Sequence, residues 1–368
     1  MMIQFSEEQA MLLDTAQAFC QQQAPIAQIR NRIEGDQALD QPLWQAMVEL
    51  GWLGITIPEA QGGLGMDLAD TVPIIEAMGR QLVASPMLAT TLAIQVLKTN
   101  GSDQQQEEWF PKLAAGDIAS VAVTEAGGAW DLSLTDCELQ DYEGGLIFKG
   151  TKTFVQDAAV SNLLIVLARY QGALRWCLVD IGDVPASNIR REAVIDETKK
   201  SYSIDLSDVC VSRANVLPGT DTLTFELATL LLLSAEMSGG IEGTLAVIVD
   251  YLKTRKQFDQ YIGSYQALKH PTVDILMGAE MVRSHLYHAA TLWRQSAGSA
   301  ELESAVRMAK CCASEQFAEA GDRGVQFHGG FGFTYECDAQ LFLRRALWGQ
   351  YQFGDERYQR QQLAALLW

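Results

Sequence analysis

The stretch VAVTEAGGAWD, Val121–Asp131, divides this chain into two textures. It starts as a short apolar run of strand character and breaks into a glycine-containing turn. Before it, apolar residues recur at helical spacing, as in QPLWQAMVELGW, DTVPIIEAMGRQL, PMLATTLAIQVLKTN and SDQQQEEWFPKLAAG. The first segment, FSEEQAMLLDTAQAFCQQ, opens with Ser6 and Gln9 at capping-box spacing. PEAQGGLG makes a turn-rich break between two of the helices. Beyond Asp131 come short β-rich runs, GLIFKGTKTFVQDA, NLLIVLARY, RWCLVDI and DVCVSRANV, parted by Gly, Asp, Asn and Ser. They predict a small antiparallel sheet domain ending near Leu217. After Asp221 long helical segments return, with short joins that fit an antiparallel bundle. The expected division is a helical domain over 1–118, a β domain over 119–218 and a helical bundle over 219–368.

Bulk properties limit the function classes. At 368 residues the chain exceeds the size at which one core stops growing. Its formal net charge of -19 argues against non-specific nucleic-acid binding, which needs phosphates neutralised by Lys and Arg. The start, MIQFSEEQAMLLD, has neither a basic segment nor an apolar one of signal-peptide type. The longest apolar run, Leu227–Ala235, is too short for a bilayer, which needs about 18 residues, and reads as a buried helix. Seven unevenly spaced cysteines without a CxxC pair fit free thiols in a reducing compartment. These features together predict a cytoplasmic protein with no membrane span.

Several motifs are near misses. GLIFKGTK has Thr151 where a phosphate-binding loop needs its lysine, and its apolar middle reads as a strand. There is no GxGxxG and no GxSxG. His285 and His288 share a helix face, but nothing completes a metal set, so no metal site is expected.

Three stretches carry more. The Val121–Asp131 turn offers backbone N–H groups and the Thr124 hydroxyl to a polar heterocycle. YLKTRKQFDQYIGSYQALKH, Tyr251–His270, leaves a helix with Arg255 and Lys256 beside Phe258, a pattern suited to a pyrophosphate. GVQFHGGFGFTYE, Gly324–Glu336, is bare enough at its glycines for close approach by a helix or a ligand.

In this order and spacing the stretches resemble the acyl-CoA dehydrogenase family over almost the whole chain. FSEEQ and WLGITIPEAQGGLG match its opening domain, and Val121–Asp131 is similar to its TEPGAGSD turn. GTKTFVQDA resembles its GxKxWITN strand, Tyr251–Gln266 its RxQFGxPIxxFQ segment, and Gln326–Phe333 its QxxGGxGY segment. The resemblance implies an N-terminal helical domain, a middle β-barrel and a C-terminal four-helix bundle. It further implies FAD between barrel and bundle, completed by a second subunit. By position, Thr124 would hydrogen-bond the flavin ring, and Phe154 would stack on it where the family usually has Trp. Arg255 would pair with the pyrophosphate, and Phe258 and the segment's last residue, Gln266, would pack nearby. Gln326, Gly329 and Gly330 would receive the adenosine end, and Asp355 would sit at a cofactor edge. An acyl-CoA substrate and an electron-transfer flavoprotein as acceptor follow from the same resemblance.

The family's reaction needs a carboxylate base for the α-proton of the thioester. In this resemblance Phe353 stands at the usual glutamate, just before Gly354, and Thr229 at the alternative position on an earlier helix. Neither can act as such a base. Trp130, Gln156 and Asp259 replace the family's serine, threonine and glycine around the expected flavin. Three readings follow. The chain is the subunit lacking the base in a heteromeric dehydrogenase, a heterotetramer similar to those of steroid side-chain or dicarboxylate degradation. Or it is self-sufficient, with Asp355, Glu356 or Glu236 as the acid. Or the fold serves a flavin-dependent oxygenase or a structural partner.

Overall fold

The computed structural model describes residues 7–35 and 37–368, so the Ser6 cap lies outside the described residues. Among the described residues six α-helices form the first part: α1 (Glu7–Gln23), α2 (Ile26–Gly35), α3 (Gln41–Glu49), α4 (Val72–Arg80), α5 (Met87–Asn100) and α6 (Asp103–Ala114). Local chemistry sets their starts. Asp40 caps α3 by accepting from Leu43 N, and Ser102 and Gln105 form a reciprocal capping box on α6.

Nine strands follow, from β1 (Ala119–Ala122) through β2 (Glu138–Tyr142), β3 (Gly145–Lys149), β4 (Thr151–Gln156) and β5 (Leu163–Tyr170) to β6 (Ala173–Asp180), β7 (Ile189–Arg191), β8 (Ser201–Asp205) and β9 (Cys210–Val211). GLIFKGTK is thus the junction of β3 and β4. The strands make a six-stranded and a three-stranded sheet, curled around their own core of residues such as Phe148, Val166 and Ile204.

The expectation of a purely antiparallel domain needs correction, because β5 pairs in parallel with both β1 and β2. Leu163–Ala168 of β5 are all buried, so this strand lies between neighbours rather than at an edge. The chain between β1 and β5, with its hairpin, supplies the long crossover that a parallel pair requires.

The last part holds five helices: α7 (Leu223–Thr254), α8 (Gln266–Gln295), α9 (Ala300–His328), α10 (Ala339–Tyr351) and α11 (Glu356–Leu367). A two-strand ribbon, Lys256–Gln257 with Gln260–Tyr261, joins α7 to α8. α9 packs on the other four. Among the described residues α7 alone is, by length and composition, apolar enough to cross a bilayer, well beyond the run read from sequence, but here it is largely buried against α4, α8 and α9. The α4–α7 crossing is backbone to backbone. A Cβ on Gly239 would lie 1.8 Å from the Glu76 carbonyl, and one on Gly79 2.0 Å from that of Glu236, so both positions demand glycine.

Candidate functional site

Between the β domain and α10 lies a cleft of about 400 Å³. The turn after β1 supplies Thr124 and Trp130, β4 supplies Phe154, and the end of α10 supplies Trp348 and Tyr351, followed by Phe353. Phe154 reaches the cleft because its backbone turns left-handed, at φ 53°, where β4 bulges against β8. Its N–H donates to Glu192 Oε2 at 3.0 Å, and the same carboxylate accepts from Ser201 Oγ at 2.7 Å. Phe154 and Trp348 meet with ring centroids 6.3 Å apart and planes tilted by 54°. Trp130 closes one side, donating from Nε1 to the Tyr351 carbonyl at 3.1 Å.

The turn carrying Thr124 and Trp130 is pinned from beneath. Glu125 accepts from the N–H groups of Asp136 and Cys137 and from the buried Lys152 Nζ at 2.6 Å. Burial raises the Glu125 carboxyl, but Lys152 and the two N–H groups outweigh it and hold it below its usual range.

Phe353 (φ 54°) and Gly354 (φ 100°) form a left-handed corner between α10 and α11. The Phe353 carbonyl accepts from Gln359 Nε2 at 2.6 Å, and the Gly354 carbonyl from Lys310 Nζ at 3.0 Å. Asp355 is the N-cap of α11, accepting from Tyr358 N at 2.8 Å. Glu356 accepts from Gln350 Nε2 at 3.0 Å, and that bond with Gln350 lowers its carboxyl below the usual range.

The remaining candidate acid, Glu236, is engaged elsewhere. It is buried in α7 with Lys199 Nζ at 2.6 Å and Arg345 Nη1 at 2.7 Å. Burial raises its carboxyl, yet the two cations hold it below the usual range. This corrects its reading as a substitute base, since it lines no part of the cleft and both cations occupy it. Thr229 is also buried, donating to the Phe225 carbonyl at 2.8 Å within its own helix. Among the described residues, none that lines the cleft carries a carboxylate.

The other residues picked out by sequence sit away from this cleft. Arg255, Gln266, Gln326, Gly329 and Gly330 are exposed, and Phe258 is 82% exposed. Arg255 pairs with no carboxylate among the described residues. Its segment meets the Gln326–Gly330 segment because Tyr251 at the end of α7 stacks on His328 at the end of α9, centroids 4.1 Å apart. The structure therefore sorts the candidates into an aromatic cleft and an exposed ledge.

The cleft residues fit a flavin ring. The Thr124 hydroxyl has no partner within the chain among the described residues. Trp348 lines the cleft with its Nε1 buried and without a partner, and Thr153 Oγ1, in the hollow behind the cleft, is likewise buried and unpartnered. The exposed Phe154 ring offers a planar ring system an apolar surface to pack on. Sequence reading had not singled out Trp348 or Glu192. The spacing of Trp348 and Tyr351, three apart on the last turn of α10, was the signal for the former.

Comparison with known proteins agrees with this architecture. Residues 6–117 match the acyl-CoA dehydrogenase N-terminal domain and residues 229–367 the acyl-CoA dehydrogenase C-terminal domain. The chain belongs to the acyl-CoA dehydrogenase family, whose cofactor is FAD. It is 30% identical to acyl-CoA dehydrogenase IpdE2 of Mycobacterium tuberculosis, over 92% of this chain and 91% of that protein. The fold is similar to a chain of the ChsE4-ChsE5 complex of the same organism, with TM-score 0.90, 24% identity and coverage of 100% and 99%. It is also similar to butyryl-CoA dehydrogenase of Megasphaera elsdenii, with TM-score 0.88, 21% identity and full coverage of both chains.

Proposed function

We propose that this chain is the subunit without a catalytic base in a heteromeric, FAD-dependent acyl-CoA dehydrogenase, paired with a homologous chain that carries the glutamate. One observation carries the reading: the corner where the family places its base presents Phe353, and no carboxylate lines the cleft among the described residues. An α-proton of a thioester cannot be taken by a phenyl ring, and the nearby acids are committed to a helix cap, a glutamine and a buried ion cluster. The likeness in fold to a chain of the ChsE4-ChsE5 complex, an assembly of unlike chains, supports the pairing.

FAD, when bound, supplies the acceptor for the hydride that leaves the β-carbon. This chain's part is to bind and orient. Thr124 and Phe154 hold a flavin ring in the cleft. The ledge of Arg255, Phe258, Gln326, Gly329 and Gly330, with Gln266 at its margin, would meet the pyrophosphate and adenosine of the neighbouring subunit's cofactor, while Asp355, next to the Phe353 corner, would sit at the cofactor edge of the cleft. A guanidinium free of any carboxylate is the group to meet a diphosphate there. The assembly is a cytoplasmic heterotetramer that desaturates a fatty or steroid side-chain acyl-CoA and passes electrons to an electron-transfer flavoprotein.

The test is co-expression with candidate homologous chains, followed by counting flavin per chain and adding acyl-CoA. The expected result is an unlike pair that bleaches, and a lone chain that is poorly flavinylated and inactive. A pure homo-oligomer of this chain that is yellow and bleaches on acyl-CoA would sink the proposal.

A further inference from the structure

Behind the cleft the fold leaves a second hollow of about 40 Å³, where its three parts meet. α5 contributes Leu88 and Leu92, β1 contributes Val121, and α7 contributes Phe225. The hollow shares Thr124, Phe154, Gln352 and Phe353 with the cleft and is therefore its inward continuation. An apolar recess leading away from a flavin ring is where the hydrocarbon part of an acyl thioester would lie. Sites that take such ligands measure roughly 300–1,000 Å³, whereas this one has room for little more than water.

Phe353 lines both the cleft and the hollow and stands between them. Its ring meets Phe225 edge-on, centroids 5.7 Å apart. A phenylalanine at positive φ is uncommon and persists only where its surroundings fix it. The fixings are explicit. The Phe353 carbonyl is held by Gln359, which is fully buried and anchored by Arg307 Nη1 at 2.8 Å. The next carbonyl is held by Lys310, also fully buried, which donates as well to the Gln350 carbonyl at 3.1 Å and Ser314 Oγ at 3.0 Å. The corner is thus bolted on both sides of the ring.

We infer that Phe353 is a fixed stopper that closes the acyl recess of this chain, so that its own cleft accepts a flavin ring but excludes the acyl tail. The inference rests on the reading of the chain as the subunit without a base and deepens it. A missing proton acceptor silences the chemistry, and the stopper removes the place for the substrate, directing acyl-CoA to the partner's site.

The probe is S-octyl-coenzyme A, a thioether without an acidic α-proton, carrying a photoreactive diazirine on the octyl end. It is crosslinked to the isolated native assembly and read by peptide mass spectrometry, with stoichiometry from calorimetry. The wild-type chain is expected to show only background label on the α5 segment Leu88–Leu92. Phe353→Gly, which suits the positive φ and so keeps the corner, is expected to raise that label about tenfold or more, the span of 1.4 kcal/mol in binding. Phe225→Ala opens the same recess from the opposite wall and is expected to do likewise. Label above background on Leu88–Leu92 in the wild type, or none above it in both variants, overturns the inference. An unlabelled wild-type homo-oligomer that never pairs defeats the pairing and leaves the stopper standing. A hetero-oligomer labelled at α5 does the reverse.

Discussion

Arg345 Nη1 donates to Glu236 Oε1 at 2.7 Å, and both side chains are buried. The same guanidinium donates to the Asp196 carboxylate and, at 3.2 Å, to the Leu82 carbonyl, while Lys199 Nζ donates to the same Oε1 of Glu236 at 2.6 Å. One arginine of α10 therefore ties together α7, the chain before β8 and the loop before α5. Asp196 follows Ile195 and Arg345 lies three residues before Trp348, and Ile195 and Trp348 both line the cleft. The two walls of the cleft are held at their spacing by this cluster.

Glu236→Ala leaves Lys199 without its anion and Arg345 with a vacant donor. Removing one partner of a buried ion pair costs about 3–5 kcal/mol, because the remaining charge stays desolvated. The expected outcome is a loss of that order in chemical denaturation. A loss below about 1 kcal/mol would show that the cluster does not hold the domains together.

Gly354 sits at φ 100°, and a Cβ there would lie 2.3 Å from Tyr358 Cδ1. Gly354→Ala therefore combines a left-handed alanine, about 1–2 kcal/mol, with overpacking of about 1–3 kcal/mol. We expect a lower melting temperature and loss of the fixed Phe353 ring, checked by calorimetry and by aromatic NMR signals. An unchanged melting temperature would show that the corner is soft.

Much of this was legible in the sequence, for physical reasons that differ by element. The helices were readable because burial repeats at their own period, as in DTVPIIEAMGRQL. Thr124, Phe154 and Phe353 were placed by resemblance, and they meet in one cleft although 229 positions separate the first from the last (353 minus 124). The parallel pairing of β5 was not legible, because strand direction depends on the path of the connection rather than on the strand's composition. Glu236 looked like an available acid because its two cations come from positions 199 and 345, which no local pattern links to it.

Asp157 follows β4 in a left-handed conformation, φ 56°, that aspartate and asparagine both tolerate. Burial pushes its carboxyl up to about 6, with Lys199, Arg191 and Lys200 opposing. A folded-state value above the unfolded one means that this stabilisation is fully present below about pH 4 and lost as pH rises through about 6. Asp157→Asn mimics the protonated form at every pH. The variant is expected to exceed wild type in stability above about pH 6, with the gap closing towards about pH 4. Denaturation midpoints across that range check this, and a gap that widens on acidification would refute it.

Arg255 is the prediction most directly tied to assembly. It stands exposed, with no carboxylate partner among the described residues and outside the chain's own cleft, next to a segment bound in place by the Tyr251–His328 stack. If it meets the diphosphate of a neighbouring subunit's FAD, Arg255→Ala removes a charge-assisted hydrogen bond worth about 1.5–3 kcal/mol. That corresponds to a flavin dissociation constant roughly tenfold to a hundredfold higher for the assembled enzyme. Arg255→Lys keeps the charge but not the two-pronged geometry, so it should recover only part of the loss. Fluorescence titration of the deflavinated assembly with FAD measures both. Equal affinity in wild type and Arg255→Ala would show that the ledge does not serve a partner's cofactor.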